Sequence, residues 1–332
     1  MCSKLTTKPD YSCRVTSVYM TNPNDPTSNM KIKIQTKNTV LAKTISEQEF
    51  SHVISTIPFS ALRSVDISGC NLEYKQRMAL RCLNYGPSVK VGIKFKTRWW
   101  QTDEFGKQMG GQSSTDRPSR VIVYPSYGTD DPVDKPGVLI APYNWFVCHL
   151  YSLGAELLTS YIRTQDSLRF APFIEIKDWS DNELPPDRPH PPYEERLLDQ
   201  IYQDLAAIHG KPPAWFKEQT CDYYAFDWIG SLETVGAFAY FGPGQFSSIY
   251  PTITTPAASG NFHFGGEVAS KHHAWVAGAL ESAERCVDEI RRREKNVTVV
   301  INYPEHAAFK DTADAVGQYL RGVYANELAA AK

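Results

Sequence analysis

The chain has 332 residues, 42% of them hydrophobic, with 35 lysines and arginines against 37 aspartates and glutamates. Such a length buries a sizeable core in one large or two ordinary domains, and excludes a small scaffold held by disulfides. A net charge of −2 supplies no basic field for nucleic acid or an anionic membrane, which leaves small molecules and other proteins as partners.

Cys2, Cys13, Cys70, Cys82, Cys148, Cys221 and Cys286 are scattered without a C-x-x-C. An odd total cannot pair fully within the chain, so a reducing compartment is expected. The first residues carry no apolar signal core. The best apolar run, 137–150, is broken by Pro142 and Asn144 and falls short of the ~20 residues a membrane helix needs. A soluble, cytoplasmic chain is therefore expected. The sequon at Asn296 matters only if the chain is secreted.

In chain order, residues 12–20 and 30–36 alternate apolar and polar side chains around a turn at 22–26, which predicts a hairpin. Residues 52–58 form a nearly continuous apolar run ended by Pro58, the pattern of a strand covered on both faces. Residues 72–83 have helical spacing through Leu72, Met78, Leu80 and Leu83, with Gly86 and Pro87 as a stop. Residues 88–96 then alternate, setting Val89, Val91, Ile93 and Phe95 opposite Lys90, Lys94 and Lys96. A loop over 101–118 precedes strands at 120–124 and 138–140, and a helix is expected within 145–168. The proline-rich stretch 181–193 reads as a connector. Residues 194–209 are an amphipathic helix with Leu197, Leu198, Ile201, Leu205 and Ile208 on one stripe. A further short helix is expected over 309–327.

Residues 222–260 are rich in aromatics and glycine, and the Gly242-Pro-Gly244 turn is expected to hold the preceding aromatics against whatever lies in front of residues 261–267. There Phe262 and Phe264 run into Gly265 and Gly266, and a helix follows from Trp275 to about Arg293. Glycines permit close approach to the main chain, and a helix N-terminus presents N–H groups and partial positive charge, which suits an electron-rich guest. The same pattern also describes a plain strand-to-helix turn. Val276, Ala279, Leu280, Ala283, Val287 and Ile290 are expected to form the buried stripe of that helix. The chain contains no G-x-G-x-x-G, no G-x-x-x-x-G-K-[ST] and no G-x-S-x-G. His263, Glu267, His272 and His273 are chemically suited to a metal, but no H-E-x-x-H or His-x-x-x-His spacing is present, and no metal is expected.

Three segments in order, 52–63 with 85–100, 236–246 and 262–285, together resemble the flavin-containing amine oxidases, most closely the fungal L-amino-acid-oxidase-like branch. The resemblance implies an α/β (α+β) architecture in two domains. Residues 1–78 and 259–297 correspond to part of an FAD-binding domain, 79–258 to a substrate domain on a mixed, mainly antiparallel sheet flanked by helices, and 298–332 to a helical tail. It implies oxidation of a small-molecule amine or L-amino acid: hydride passes to flavin N5, an imine forms, and O₂ becomes H₂O₂. Lys90 matches the lysine that holds a water near N5, and Val15 the strand position that meets the adenine. Gly266 and Glu267 match the ribityl-pyrophosphate contact, and Val276 the helix-start N–H that meets the flavin C2 oxygen. Trp275 and Phe238 match the walls of the aromatic cage. Ala237 stands near the position where some members carry a cysteine bonded to the flavin, so FAD is expected to be non-covalent.

The departure from the family is the absent glycine-rich βαβ unit, so the chain corresponds to a C-terminal portion. Apolar strand residues 53–57 are then expected at an uncovered sheet edge. Three readings follow: an oxidase, a non-enzymatic remnant, and one half of a split oxidase that needs an N-terminal partner; a homo-oligomer is a further possibility. Arg98, Arg117 and Arg120 are candidates to meet a substrate carboxylate, with none preferred.

Overall fold

The computed structural model describes residues 6–11, 13–37, 43–144, 166–174 and 192–294. Most of the stretch 145–168 expected to hold a helix, the helix expected over 309–327, most of the connector at 181–193 and the sequon at Asn296 lie outside the described residues. Residues 1–290 form one compact unit, and it holds two hydrophobic cores.

The first core begins with the expected hairpin. Strands β1 (Cys13–Met20) and β2 (Met30–Lys37) pair antiparallel from Cys13↔Thr36 to Met20↔Met30, with a bulge between Val15 and Ser17. A third strand, β3 (Lys43–Phe50), which the alternation did not announce, completes the sheet. Its exposed side chains explain the missing signal: from Ile45 to Phe50 neither face is buried. Strand β4 is only Val53–Ser55, followed by α1 (Phe59–Leu62) and α2 (Tyr74–Cys82). Gln76 fixes the start of α2, accepting from Glu73 N at 3.0 Å and donating to Thr255 O at 2.9 Å. Arg63 caps its far end by donating to Leu80 O and Leu83 O at 2.5 and 2.6 Å. The expectation of a strand over 52–58 covered on both faces is corrected, since Ile54 is 38% exposed. Among the described strands β4 has a single partner, β12 (Phe262–Phe264), in a two-stranded parallel pair.

The second core is organised by β6 (Val89–Phe95), whose Val89, Val91, Ile93 and Phe95 are all buried, as the alternation required. β6 lies between β10 (Thr220–Asp227) and β9 (Gly137–Asn144), and β8 (Val121–Val123) and β7 (Gln112–Ser114) extend the sheet. Every pairing in it is antiparallel, and among the described strands only β4 and β12 pair parallel. The presumed loop 101–118 thus contributes a strand, and short 3₁₀ turns at Trp99–Gln101 and Asp103–Phe105 lead into it. Helices α3 (Asp166–Phe170), α4 (Pro192–His209) and α5 (Pro213–Gln219) cover this core, with Leu197, Ile201 and Leu205 of α4 buried. Asp204, also buried, accepts from Ser119 N, Ser119 Oγ and Arg117 Nε at 2.7 to 2.9 Å and anchors the approach to β8.

The stretch 222–260 contains β11 (Ala239–Tyr240), which pairs with β5 (Asn84–Tyr85), and a helix not foreseen there, α6 (Gln245–Ile253). Gln245 stabilises its start by accepting from Gly242 N at 2.7 Å. The last described helix, α7 (Val276–Glu294), begins one residue after Trp275. Its buried face differs from the expected one: Gly278, Ser282 and Cys286 are buried, while Val276 is 77% and Leu280 42% exposed. Small side chains let α7 approach the backbone closely. A Cβ on Gly278 would lie 2.1 Å from His272 O, and Cys286 Sγ reaches Phe264 O at 3.4 Å. Apolarity alone therefore selects the wrong face.

His209, the last residue of α4, sits among Trp99, Phe105 and Phe216, with its Nε2 3.2 Å from Tyr124 Oη. Burial pushes its pKa down to about 4. Unfolded histidine binds a proton below about pH 6.5, whereas the folded protein refuses it until about pH 4. Stability is therefore full above the upper value and falls as the pH drops through this window. In urea titrations from pH 7 to pH 4, His209→Asn is expected to flatten this segment of the stability curve; an unchanged slope contradicts the assignment.

Candidate active site

The site is built around one carboxylate. Gly266 takes φ +97°, a conformation L side chains rarely adopt, and turns the chain out of β12 so that Glu267 faces β11. Glu267 Oε1 accepts from Ala239 N at 2.9 Å and Oε2 from Ala274 N at 3.2 Å. One side chain thus joins β11 to the residue two before α7. The glycine N–H groups themselves are taken up: Gly265 N donates to Ser55 O and Gly266 N to Ser282 Oγ, each at 2.8 Å. The N–H groups without intrahelical acceptors belong to the first turn of α7 instead.

From β5 into β6 the chain forms a ribbon along this site. Tyr85 pairs with Ala239, Gly86 N donates to Phe238 O, Ala237 N to Gly86 O, and Trp228 N to Ser88 O. Lys90 then pairs with Phe226 of β10. About 16 Å of extended chain separates Tyr85 from Lys90 at 3.3 Å per residue, so Glu267 and Lys90 attach to opposite ends of one hydrogen-bonded element. Lys90 is half-buried on the face of β6 opposite Val89 and Val91, with its Nζ 5.8 Å from the centre of the Trp228 ring. Burial pushes its pKa down from the usual lysine value. Tyr85 Oη accepts from Phe59 N at 2.8 Å; burial, then the nearby Glu267 charge, push its phenol far up, so it stays neutral.

Trp275, 66% exposed, and Val276 stand at the N-terminus of α7. Phe238, the other expected cage wall, is half-buried on the ribbon. Val15 lies apart on β1, half-buried against the first core. On either side of the Gly-Pro-Gly turn, Phe241 and Phe246 pack on His273 at 4.8 and 5.8 Å between ring centres. Tyr85 and Trp228 were given no site role from the sequence, and His273 was weighed only as a metal ligand; placement beside the glycine turns is the signal that could have pointed to Tyr85 and Trp228.

The other candidates have partners elsewhere. Arg98 pairs with Asp131 at 2.7 Å, Arg117 with Asp204 at 2.9 Å, and Arg120 with Asp166. His263 is fully buried, its Nδ1 donating to Glu289 at 2.7 Å and its Nε2 3.3 Å from His52 Nδ1. Desolvation lowers its pKa, and Glu289 opposes that shift. His272 meets Glu281 at 3.0 Å and His273 donates to Val268 O. Among the described residues no cluster of three potential metal ligands occurs, and no helix is long and apolar enough to cross a membrane.

The pattern of the flavin containing amine oxidoreductases matches residues 1–165 and 173–291. An L-amino-acid oxidase 4 of Hebeloma cylindrosporum is 38% identical over 278 residues, covering 82% of this chain and 38% of that protein. A putative bifunctional amine oxidase of Dictyostelium discoideum is 40% identical over 248 residues, 74% of this chain and 20% of that protein. The fold is similar to putrescine oxidase bound to putrescine, with a TM-score of 0.56 at 17% identity, covering 85% of this chain and 49% of that one. The chain thus spans less than half the length of these relatives.

The Glu267 tie is open to direct measurement. In Glu267→Ala, amide exchange at Ala239 and Ala274 is expected to accelerate at least tenfold, with a stability loss of about 1–3 kcal/mol. Unchanged exchange at both amides contradicts the role.

Proposed function

The chain belongs to the flavin-containing amine oxidoreductase family, and on that premise we propose that it supplies the substrate-facing wall of an FAD-dependent amine or L-amino-acid oxidase. The reading rests on the joined placement of Gly266, Glu267 and the start of α7 with the Lys90 ribbon. These residues fit a flat, electron-accepting ring system on a physical ground. A tryptophan and a valine stand largely exposed at a helix N-terminus, where an apolar cofactor face would cover them and the helix dipole would favour developing negative charge.

FAD, when bound, accepts the two electrons removed as the substrate C–N bond becomes an imine, which water hydrolyses, and O₂ takes those electrons to give H₂O₂. In this reading the chain's residues hold and orient. Gly266 admits the cofactor's ribityl-pyrophosphate chain to the backbone, with Glu267 keeping unused acceptor lone pairs beside it. The Val276 N–H stabilises charge that develops on the ring carbonyl. Trp275 and Phe238 wall the substrate amine. Lys90, partly desolvated, holds a water and moves a proton near neutral pH. Val15 lines the adenine end, and with alanine at position 237 the cofactor is held without a covalent bond. Residues 1–78 with 259–297 act as the FAD-binding part and 79–258 as the substrate part.

A second reading, that FAD is retained only with a complementing polypeptide, is favoured by one observation. Among the described strands β4 pairs on one edge only, and its Ile54 is 38% exposed. A parallel sheet ordinarily buries such a residue on both faces. The complement would be a βαβ unit carrying the glycine-rich phosphate turn that this sequence lacks.

Spectroscopy tests the proposal. The chain, alone or with the part of the Hebeloma relative that it does not match, is expected to acquire flavin absorbance that amino acids or amines bleach anaerobically. A chain that stays colourless in both cases overturns the reading and favours a non-enzymatic remnant. In the loaded form, Lys90→Met is expected to slow bleaching roughly 100-fold with little loss of flavin affinity; equal rates refute the role of Lys90.

A further inference from the structure

The segment from Trp228 to Gly236 is a closed loop with a strained neck. Gly236 N and Thr234 Oγ1 both donate to Trp228 O, at 2.7 and 2.8 Å, so the two ends meet at one carbonyl. Val235 N donates to Ser231 O at 2.8 Å, and Val235 sits at φ +47°, a region that β-branched residues avoid and that persists only where surrounding bonds fix it. Gly236 follows at φ +127°, and a Cβ there would lie 2.6 Å from Tyr85 Cβ. Ser60 Oγ donates to Thr234 O at 2.6 Å and ties the loop to α1.

All of this restraint converges on one side chain. Trp228 N is bonded to Ser88 O, two residues before Lys90, and the indole packs edge-on to Phe226 at 4.8 Å, directly across the ladder from Lys90. Asp227, the carboxylate next in sequence, is turned to its own loop: Oδ1 accepts from Ile229 N at 3.0 Å and Oδ2 from Gly230 N at 3.1 Å. The aromatic face, rather than the adjacent carboxylate, is thus presented to the Lys90 ammonium, at 5.8 Å and within cation–π range.

We propose that the 228–236 loop is a clamp that holds Trp228 as the positioning residue for the Lys90 amine. Its significance for catalysis rests on the reading of Lys90 given above; the clamp itself does not. An indole face stabilises the ammonium form without accepting its protons. A carboxylate in the same place would bind one of them and hold the lysine charged.

Trace acetylation across a pH series, read by mass spectrometry at each lysine, gives the titration midpoint of Lys90, with exposed Lys94 on the same strand as internal reference. Trp228→Leu is expected to lower the Lys90 midpoint by about half a pH unit or more and leave Lys94 unmoved, whereas Trp228→Phe restores part of the shift. Should the leucine variant not fold, polyfluorinated tryptophan in the native sequence weakens the ring's attraction without changing its shape. It is then expected to lower the same midpoint, and to do so no longer in Trp228→Phe. An unmoved Lys90 midpoint under both treatments overturns the clamp. A midpoint that moves while the pH profile of amine oxidation in the loaded protein does not would retain the clamp and reject the catalytic reading of Lys90.

Discussion

The arrangement of the candidate site depends on the Glu267 carboxylate and the two backbone amides it accepts, from Ala239 and Ala274. Charge-assisted bonds of this kind are roughly twice as strong as neutral ones. This pair joins elements 28 and 7 residues apart in the chain. Because Ala239 is in register with Tyr85, the tie extends through the ribbon to Lys90. Gly266 makes it possible: only a residue without a Cβ adopts its φ readily, and its own N–H is held by Ser282. Position, carboxylate and helix start are therefore one unit.

A second constraint sets which face of α7 looks outward. The helix approaches β12 and the 270–272 backbone on glycine, serine and cysteine, and so its larger apolar residues point away. In a self-contained fold the larger side chains would be buried, since burial of each is worth about 1.5–3 kcal/mol. Leaving Val276 and Leu280 outside is unfavourable unless something covers them. The same holds for Ile54 on β4. Two elements that meet at β12 thus carry exposed apolar residues, and both flank the turn that the family resemblance assigns to flavin.

Much of this was legible in the sequence where one physical signal dominated. The alternation of β6 and the stripe of α4 each reported a single buried face, and the turn at 22–26 reported the link between two paired strands. The three segments of family resemblance located Glu267, Lys90 and Trp275 near structurally joined elements. Periodicity missed β3, whose side chains bury little, and α6, masked by a proline and flanking glycines. It misassigned the buried face of α7 because close packing favours small residues over apolar ones. Pairings between distant residues, such as Asp204 with Arg117 and His263 with Glu289, have no local signature. They remove the three arginines and the histidines from the list of open ligands.

The most direct test of the account is an amide-exchange footprint of this chain with FAD and the part of the Hebeloma relative that it does not match. The account predicts slowed exchange at 265–268, 276–280 and 86–90, with no change at the Asp204-anchored segment 115–120. Unchanged exchange in those three stretches, or protection centred on 115–120, would contradict it.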